Sequence, residues 1–222
     1  MAKTILTLQQ QNFLALLSQN QTLSKQFYFG GGTALTEYYL HHRESEDLDF
    51  FNENEFEVQG LTVFLKKIQP QLGFKNYDYQ QSFNRNLFFL HFPQGYILKT
   101  EFTYFPFPRI DTSNKKNGIN IDSLLDIAVN KLFTIYQNPR SRDYIDLYFI
   151  MQQKNWKIDA LLKKAKIKFD WHVDPLQLGS QLTRIEELLK VDYPKMLRDI
   201  NNEEVNNFFF QEAKKLEKQI LE

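Results

Sequence analysis

The sequence predicts an α+β fold, with an α/β amino-terminal half followed by a helical carboxy-terminal half. Up to about residue 105, alternating apolar runs typical of strands are interleaved with segments of helical periodicity. A polar, proline-containing stretch at residues 106–118 indicates a linker, and the periodic segments beyond it are helical. We therefore expect an α/β domain at residues 1–118 and a helical domain at residues 119–222.

The elements follow from local patterns in chain order. Apolar residues at helical spacing indicate an opening helix and a later amphipathic helix, and an aromatic run before three glycines indicates a strand entering a tight turn. The predicted elements of the first half are helix 7–19, strand 27–29, helix 34–42, strand 47–51, helix 58–72, and strands 86–92 and 96–105. The predicted helices of the second half are 122–136, 142–152, 158–166 and 203–221.

The amino-acid composition limits which classes of protein this chain can belong to. Hydrophobic residues make up 42% of the 222 residues, and phenylalanine alone contributes 21, so the chain can bury a substantial core. Lysine plus arginine and aspartate plus glutamate both total 27, and the resulting zero net charge argues against a dedicated nucleic-acid binder. The absence of cysteine excludes disulfides and thiolate metal sites. Because no secretory signal or long apolar run is present, we expect a cytoplasmic protein without a membrane partner.

Two aspartates mark a candidate metal site. Asp47 and Asp49 lie two apart on a predicted strand, so both carboxylates project from one face, about 6–7 Å apart. Like charges on one face repel unless a cation neutralises them, and oxygen ligands at this spacing suit one or two Mg²⁺ ions. A solvated strand face would give the same pattern, so the pair alone leaves both interpretations open.

The glycines before this strand suggest a phosphate-binding turn. Gly30, Gly31 and Gly32 allow the backbone to approach a ligand closely, and the helix start with Thr33 offers N–H and hydroxyl groups to phosphate oxygens. A merely flexible turn is the alternative. Together with the aspartates, however, the turn would supply the combination that phosphoryl chemistry needs: metal ligands beside donors that hold a polyphosphate.

A family resemblance is carried by these residues in their order along the chain. They are Gly31-Gly32-Thr33-Ala34-Leu35, Arg43, Ser45, Asp47, Asp49 and Phe50. The pattern resembles the signature of the abortive-infection nucleotidyltransferase toxins of the AbiEii/AbiGii type, within the polymerase-β nucleotidyltransferase superfamily. The resemblance implies a polymerase-β-like domain, a mixed sheet with flanking helices. It also implies Mg²⁺-dependent transfer, with two ions, of a nucleotidyl group from a nucleoside triphosphate. Family members are toxins with a cognate antitoxin, and some modify transfer RNA.

The resemblance extends to residues further along the chain. Superfamily sites use a third carboxylate from a later strand, for which Glu101 is the candidate, as metal ligand and proton acceptor. A Lys99–Glu101 pair on a solvated face is the alternative. In family terms Lys131 would touch the triphosphate, and Asp143 and Asp146 would hold the site together or assist catalysis.

Structural roles stay open for the same residues. The aspartates of the second half could form a buried salt bridge with Lys131 or Arg142. Arg43 could hold a phosphate bidentately, or pair with Glu44 or Glu46 to shape the turn.

Two other functional classes also fit the sequence. One is a catalytically idle nucleotide-binding module that regulates or binds a partner, and the other is an antibiotic-modifying nucleotidyltransferase. The four histidines show no ligand spacing, the basic stretch 163–168 is typical of a solvated helix end, and residues 156–222 carry no recognised motif. The nucleotide and the acceptor cannot be chosen from the sequence.

Overall fold

The computed structural model describes residues 4–221 and confirms the predicted α+β class. The helices are α1 (Leu8–Gln19), α2 (Gln21–Gln26), α3 (Gly31–Leu35), α4 (Val58–Leu72), α5 (Leu124–Gln137), α6 (Ser141–Lys154), α7 (Ile158–Phe169), α8 (Pro175–Leu182), α9 (Ile185–Val191) and α10 (Asn202–Leu221). The strands are β1 (Tyr28–Gly30), β2 (Leu48–Asn52), β3 (Asn76–Ser82), β4 (Arg85–His91), β5 (Ile97–Tyr104), β6 (Asn114–Lys116) and β7 (Ile119–Ile121). No helix within residues 4–221 is both long and apolar enough to cross a membrane.

The strands form one mixed sheet in the order β3-β4-β5-β2-β1-β7-β6. At its centre β2 runs parallel to β5 and antiparallel to β1. The β1 strand in turn runs parallel to β7. The expected mixed sheet with flanking helices is thus present. Strand β2, which contains Asp49 and begins one residue after Asp47 rather than at the expected residue 47, lies inside the sheet, away from both edges.

One face of the sheet forms the core of the first half. Burial alternates along β2, so that Leu48 and Phe50 point into the core while Asp49 and Phe51 stay partly exposed. The ring of Phe50 lies 4.9 Å from Phe102 on β5 and 6.0 Å from Phe13 on α1. Helix α4 contributes Phe64 to the same buried cluster. Since Leu48 and Phe50 point to this face, Asp49 projects from the other.

The helices of the second half pack around their own aromatic residues. Tyr144 of α6 meets Phe209 of α10 edge to face, with ring centroids 5.2 Å apart. Phe133 of α5 stacks on Phe169 of α7 at 4.0 Å. Helix α10 also packs on α8, and α5 packs on α6. The helical character expected beyond the linker is therefore present.

The packing divides the chain into two compact units. The first comprises residues 1–39, 45–108 and 112–123, and the second comprises residues 40–44, 109–111 and 124–222. The domain boundary expected at residue 118 falls in the turn between β6 and β7 of the first unit. Residues 40–44, although they lie early in the sequence, pack with the second unit.

Two local features differ from the sequence-based expectations. The helix expected at 34–42 begins earlier, at Gly31, continues as a π-helical turn at Thr36–Leu40, and ends where His41 takes a φ of 52°. Strands β3, β6 and β7 and helices α2, α8 and α9 were not expected, and β6 forms inside the predicted linker.

Candidate active site on the sheet face

The glycine bend and Asp49 are in direct steric contact. Gly30 at the end of β1 pairs with Asp49 on β2, and Gly31 follows with a φ of 67°. A Cβ added to Gly31 would lie 2.3 Å from Oδ2 of Asp49, far inside van der Waals contact. Glycine is therefore required at residue 31 both by the backbone conformation and by the closeness of the carboxylate. The expected proximity of bend and acid is present.

Thr33 anchors the segment that leads into β2. This fully buried residue donates its hydroxyl proton to the backbone carbonyl of Asp47, and its oxygen lies 2.8 Å from Oγ of Ser45. Gln10 of α1 adds a side-chain hydrogen bond of 2.9 Å to the carbonyl of Glu46. These contacts fix the backbone immediately before the two aspartates. The predicted contact of Thr33 with a triphosphate is a separate matter and stays a prediction.

Three carboxylates lie on the face opposite the core. Asp49 is in register with Glu101 on the neighbouring parallel strand β5, and Asp47 precedes Asp49 by two residues. Asp47 lies just before β2 as it is formed, and its Oδ2 is 2.6 Å from Nζ of Lys99. Glu101, the predicted third carboxylate, thus lies on the strand beside Asp49, and its role as a metal ligand stays a prediction.

Basic side chains form ion pairs with Asp47 and Glu101. Arg85 on β4 donates two hydrogen bonds of 2.6 Å to the oxygens of Glu101, and Thr103 donates a third of 2.9 Å. Burial raises the pKa of Glu101. The hydrogen bonds and charge of Arg85 lower the pKa, Thr103 and Lys99 lower it by smaller amounts, and together these effects outweigh that of burial. The result is a pKa below the ordinary value, so Glu101 is ionised at neutral pH. Sequence reasoning paired Glu101 with Lys99 and missed Arg85, which lies 16 residues away.

The carboxylates on this face are of the chemical type that binds a hard divalent cation, but within residues 4–221 they are not gathered into a metal site. Three carboxylates on one sheet face offer the oxygen ligands that Mg²⁺ prefers. The pKa of Arg85 is raised chiefly by its hydrogen bond to Glu101, and the charges of Asp49 and Asp47 also raise it, so all three acids share one electrostatic environment. Within the described part of the chain no three acidic or histidine side chains are gathered as a ready-made metal site. Lys99 and Arg85 at present supply the positive charge there.

The remaining predicted residues come together in the second unit. Lys131 of α5 lies 2.7 Å from Asp143 Oδ1 and 2.7 Å from Asp146 Oδ2, both on α6. Arg43 makes a bidentate pair with Asp146, at 2.7 and 2.8 Å. These four side chains are buried. The buried salt bridge between Lys131 and the aspartates, one of the open alternatives, is thus present.

Two partners in this cluster carried no recognised signal in the sequence. His42 Nε2 is 2.8 Å from Asp146 Oδ1, and Arg140, rather than the expected Arg142, donates a 3.0 Å hydrogen bond to Asp143. Burial raises the pKa of Asp146, but the charges of Arg43 and Lys131 lower it well below its ordinary value. Asp143 is shifted in the same direction, because Lys131 and Arg140 outweigh its burial. Both carboxylates are therefore ionised, and each forms ion pairs with two basic side chains.

Comparison with known proteins gives three kinds of match. The family model described as nucleotidyl transferase AbiEii toxin, type IV toxin–antitoxin system, matches residues 15–213. An uncharacterized protein of Aquifex aeolicus strain VF5 is 30% identical over 194 residues, covering 85% of this chain and 86% of that relative.

Two crystal structures from Helicobacter pylori share the fold. One is a provisionally named nucleotidyltransferase, with a TM-score of 0.61 and 21% identity, covering 95% of this chain and 94% of the other. The second is the protein JHP933, with a TM-score of 0.60 and 22% identity, covering 94% and 92%. These likenesses establish the architecture, which is that of the polymerase-β-like domain followed by helices expected from the sequence.

Proposed function

The chain belongs to the AbiEii nucleotidyl transferase toxin family, and from this premise we propose that it moves a nucleotidyl group from a nucleoside triphosphate to an acceptor. The proposal includes dependence on Mg²⁺ and a role as the toxin of a toxin–antitoxin pair. The family match over residues 15–213 supports transfer and toxicity as the general class. The metal, the triphosphate and the acceptor are the parts that experiment has to establish.

One observation carries the proposal. The Asp49 carboxylate lies directly against the glycine bend, where a side chain on Gly31 would come within 2.3 Å of it. A bend that exposes backbone N–H groups can hold phosphate oxygens, and an adjacent carboxylate can hold the cation that bridges them. A solvated strand face or a flexible turn would not require this contact.

Each residue then has a role that its position allows. Gly31 and Gly32, both partly exposed, would offer backbone N–H groups to the triphosphate. Asp47, Asp49 and Glu101 would hold Mg²⁺, which when bound neutralises phosphate charge and stabilises the leaving pyrophosphate.

The transfer itself exchanges one bond for another. The acceptor oxygen forms a bond to the α-phosphorus while the bond to the pyrophosphate oxygen breaks. The proton of the acceptor hydroxyl passes to Glu101, the carboxylate furthest from the glycine bend in the strand order. Binding of Mg²⁺ would have to compete with Lys99 and Arg85 for Asp47 and Glu101.

The second-unit residues enter the proposal differently. Lys131 as a triphosphate contact, Arg43 as a phosphate contact, and catalytic roles for Asp143 and Asp146 stay predictions from the family resemblance. Their contacts with one another support a structural role, because each charge is already neutralised by a buried partner.

An acceptor panel with labelled triphosphates tests the activity. With Mg²⁺ present, the wild type is expected to label an RNA acceptor, and Asp49→Asn to reduce labelling by about 100-fold or more because a metal ligand is lost. Asp78→Asn, an exposed acid of β3, is the matched control and is expected to keep wild-type labelling. Wild-type transfer by a folded Asp49→Asn protein would contradict the metal mechanism.

The same panel separates the alternative functions. Labelling of an aminoglycoside or another small acceptor, without labelling of RNA, would indicate an antibiotic-modifying enzyme. Triphosphate binding without transfer to any acceptor would indicate an idle nucleotide-binding module.

Growth measurements test the toxin role. Expression without an antitoxin is expected to slow bacterial growth, and Asp49→Asn to relieve the effect if transfer causes it. Equal growth arrest by the folded variant would mean that toxicity does not come from this site. The cytoplasmic location expected from the sequence is part of the proposal.

A further inference from the structure

The hairpin of β3 and β4 presents one large apolar side chain to solvent. Phe83 opens the two-residue turn between Ser82 and Arg85 and is 96% exposed. Its φ of 50° lies in the left-handed region, which bulky side chains adopt only at a cost in conformational energy. Glycine is usual at such hairpin positions. Phe83 therefore neither packs in the fold nor suits its backbone, and a role in binding would account for it.

The tip that carries Phe83 is held in place by neighbouring strands. The backbone N–H of Tyr104, at the end of β5, donates a 2.9 Å hydrogen bond to the carbonyl of Asn84. The following residue, Arg85, makes the bidentate pair with Glu101. The ring is thus displayed from a fixed support, so a ligand that stacks on it orders little additional chain.

The strand order places this tip on one side of the carboxylates. β1, which ends in the glycine bend, is followed across the sheet by β2 with Asp49, β5 with Glu101 and β4 with Arg85. Neighbouring strands are about 4.8 Å apart, so β4 lies roughly 14 Å from β1. A triphosphate at the bend and a ligand at the hairpin would lie on opposite sides of the acids, which makes the hairpin the acceptor side.

The surroundings of Phe83 suit a nucleobase. The exposed polar side chains that flank it are Gln80, Gln81, Ser82 and Asn84. Arg85 is half exposed, and no acidic residue occurs in the sequence between Asp78 and Glu101, so phosphates meet no local repulsion. A protein interface would need a larger apolar area than one ring. An aromatic face with amides and an arginine beside it fits an unpaired base, which stacks and forms hydrogen bonds along its edge.

We propose that Phe83 is an acceptor-binding residue, on which an unpaired base of a single-stranded RNA acceptor stacks beside the carboxylates. The inference rests on the proposed function, because it assigns the second substrate of the same site. Phe83 contributes affinity and placement of the strand and does not touch the reacting atoms.

A binding measurement tests this without requiring turnover. The probe is a short unstructured RNA labelled with fluorescein, titrated with the whole chain and with Phe83→Asn, since asparagine tolerates positive φ. Loss of one stacked base should weaken RNA binding by about fivefold or more. Affinity for a nucleoside triphosphate should change by less than about twofold, because the two ligands are well separated.

Two further variants make the test specific for an aromatic ring at this position. Phe83→Trp is expected to keep RNA affinity near that of the wild type, because tryptophan also stacks. Trp171→Asn, which removes an exposed aromatic residue of the second unit, is expected to bind RNA like the wild type.

Several outcomes would overturn the proposal. The first is a wild type that binds no RNA. The second and third are a Phe83→Asn protein with unchanged RNA affinity, or one that loses RNA and triphosphate affinity equally. The last is a Phe83→Asn protein that binds RNA normally but is no longer inhibited by a co-expressed antitoxin. The last outcome would assign Phe83 to a protein contact. Failure of the proposed function gives a different result, because a wild type that binds RNA through Phe83 yet transfers no nucleotide leaves this inference standing.

Discussion

At the scale of single residues, Gly31 meets two steric requirements at once. Its φ of 67° is unfavourable for any residue with a Cβ, and a Cβ there would displace the Asp49 carboxylate. Gly60 on α4 offers a matched comparison, because a Cβ added there meets nothing within 4 Å.

We predict that Gly31→Ala loses transfer activity and stability together. The left-handed backbone alone should cost roughly 1–2 kcal/mol of unfolding free energy, and the displaced Asp49 should reduce transfer by about 10-fold or more. Gly60→Ala should instead raise stability by about 0.5–1 kcal/mol and leave transfer unchanged, because alanine favours a helix. Urea unfolding and the labelling assay measure both quantities, and a fully active Gly31→Ala enzyme would refute the steric argument.

The buried environment of His42 lowers its pKa and so affects how stability depends on pH. Its ring is fully buried, and Nδ1 has no hydrogen-bond partner among the described residues, so a neutral ring that donates from Nε2 to Asp146 is the favoured form. Burial lowers the pKa of His42, Asp146 opposes this, and Arg43 and Lys131 lower the pKa further.

We predict that stability falls as the pH drops below the ordinary histidine pKa of about 6.5. In that range the unfolded chain binds a proton at residue 42 that the folded chain does not, so unfolding free energy decreases by up to about 1.4 kcal/mol per pH unit. His42→Gln should flatten the dependence between pH 7 and 5 (roughly), whereas His172→Gln, at an exposed position, should keep it. The stability that the low pKa values of Asp143 and Asp146 provide is present above about pH 4 and is lost only at lower pH.

The sequence was sufficient for some residues of the site and not for others. Asp47, Asp49 and the glycines stand close together in the chain, so strand alternation and turn chemistry could place them. Arg85 and Arg140 could not be assigned, because pairing depends on strand register and on which side chains share a buried space. The hydrogen bond from the Thr33 hydroxyl to the backbone of Asp47 could not be foreseen either, and the predicted contact of Thr33 with a triphosphate stays a prediction.

At the scale of elements, helices α5 and α6 are joined by a buried network of charges. Lys131 bridges Asp143 and Asp146, while Arg43 and Arg140 each neutralise one of the same aspartates. Removal of one member leaves a buried carboxylate with less compensation, which costs more than the pair contributes when intact.

We predict that Lys131→Met lowers the free energy of unfolding by about 3 kcal/mol. Lys154→Met, at an exposed position of α6, should change it by less than about 0.5 kcal/mol. In the Lys131→Met background, Asp143→Asn should cost less than it does alone, because the two side chains interact directly. If instead Lys131→Met keeps wild-type stability and loses triphosphate affinity, the family role of Lys131 is the correct one.

Elements with a one-sided apolar pattern were predictable, and those without one were not. Helix α4 has the expected bounds of 58–72 because its apolar residues occupy one face. Strand β3 is exposed along nearly its whole length, so Asn76–Ser82 shows no alternation. Strands β6 and β7 have three residues each, which is too short for a periodic signal.

At the scale of the whole molecule, the balance of charges bears on how RNA would be held. Lysine plus arginine equals aspartate plus glutamate at 27 each, so the chain has no net positive charge to attract phosphates. The basic stretch 163–168 compensates little, because Lys168 is buried in an ion pair of 2.6 Å with Asp126 and only three of its lysines stay at least partly exposed. Base stacking would then contribute more to affinity than phosphate contacts.

We predict that RNA binding depends only weakly on salt. The logarithm of the association constant plotted against the logarithm of salt concentration should have a slope no steeper than about −2, equivalent to about three phosphate contacts on a single strand. Lys166→Gln should leave this slope unchanged. A slope near −5 would indicate an extended basic surface and would contradict the prediction.

The helical carboxy-terminal region was predictable, since the change of periodicity after the linker is a property of the chain itself. The assignment of residues 40–44 to the second unit was not. It follows from the pairing of Arg43 with Asp146, 103 residues away, and of His42 with the same side chain. Such distant partners leave no periodic trace in a single sequence.

The two edges of the sheet have consequences for handling the protein in quantity. Edge strand β6 carries Lys115 and Lys116, whose charges discourage another chain from pairing with it. Edge strand β3 has only Asp78 for that purpose, and its outer backbone groups form an open template. Concentrated preparations should therefore aggregate by edge-to-edge pairing at β3, and Gln80→Lys should raise the concentration at which precipitation begins.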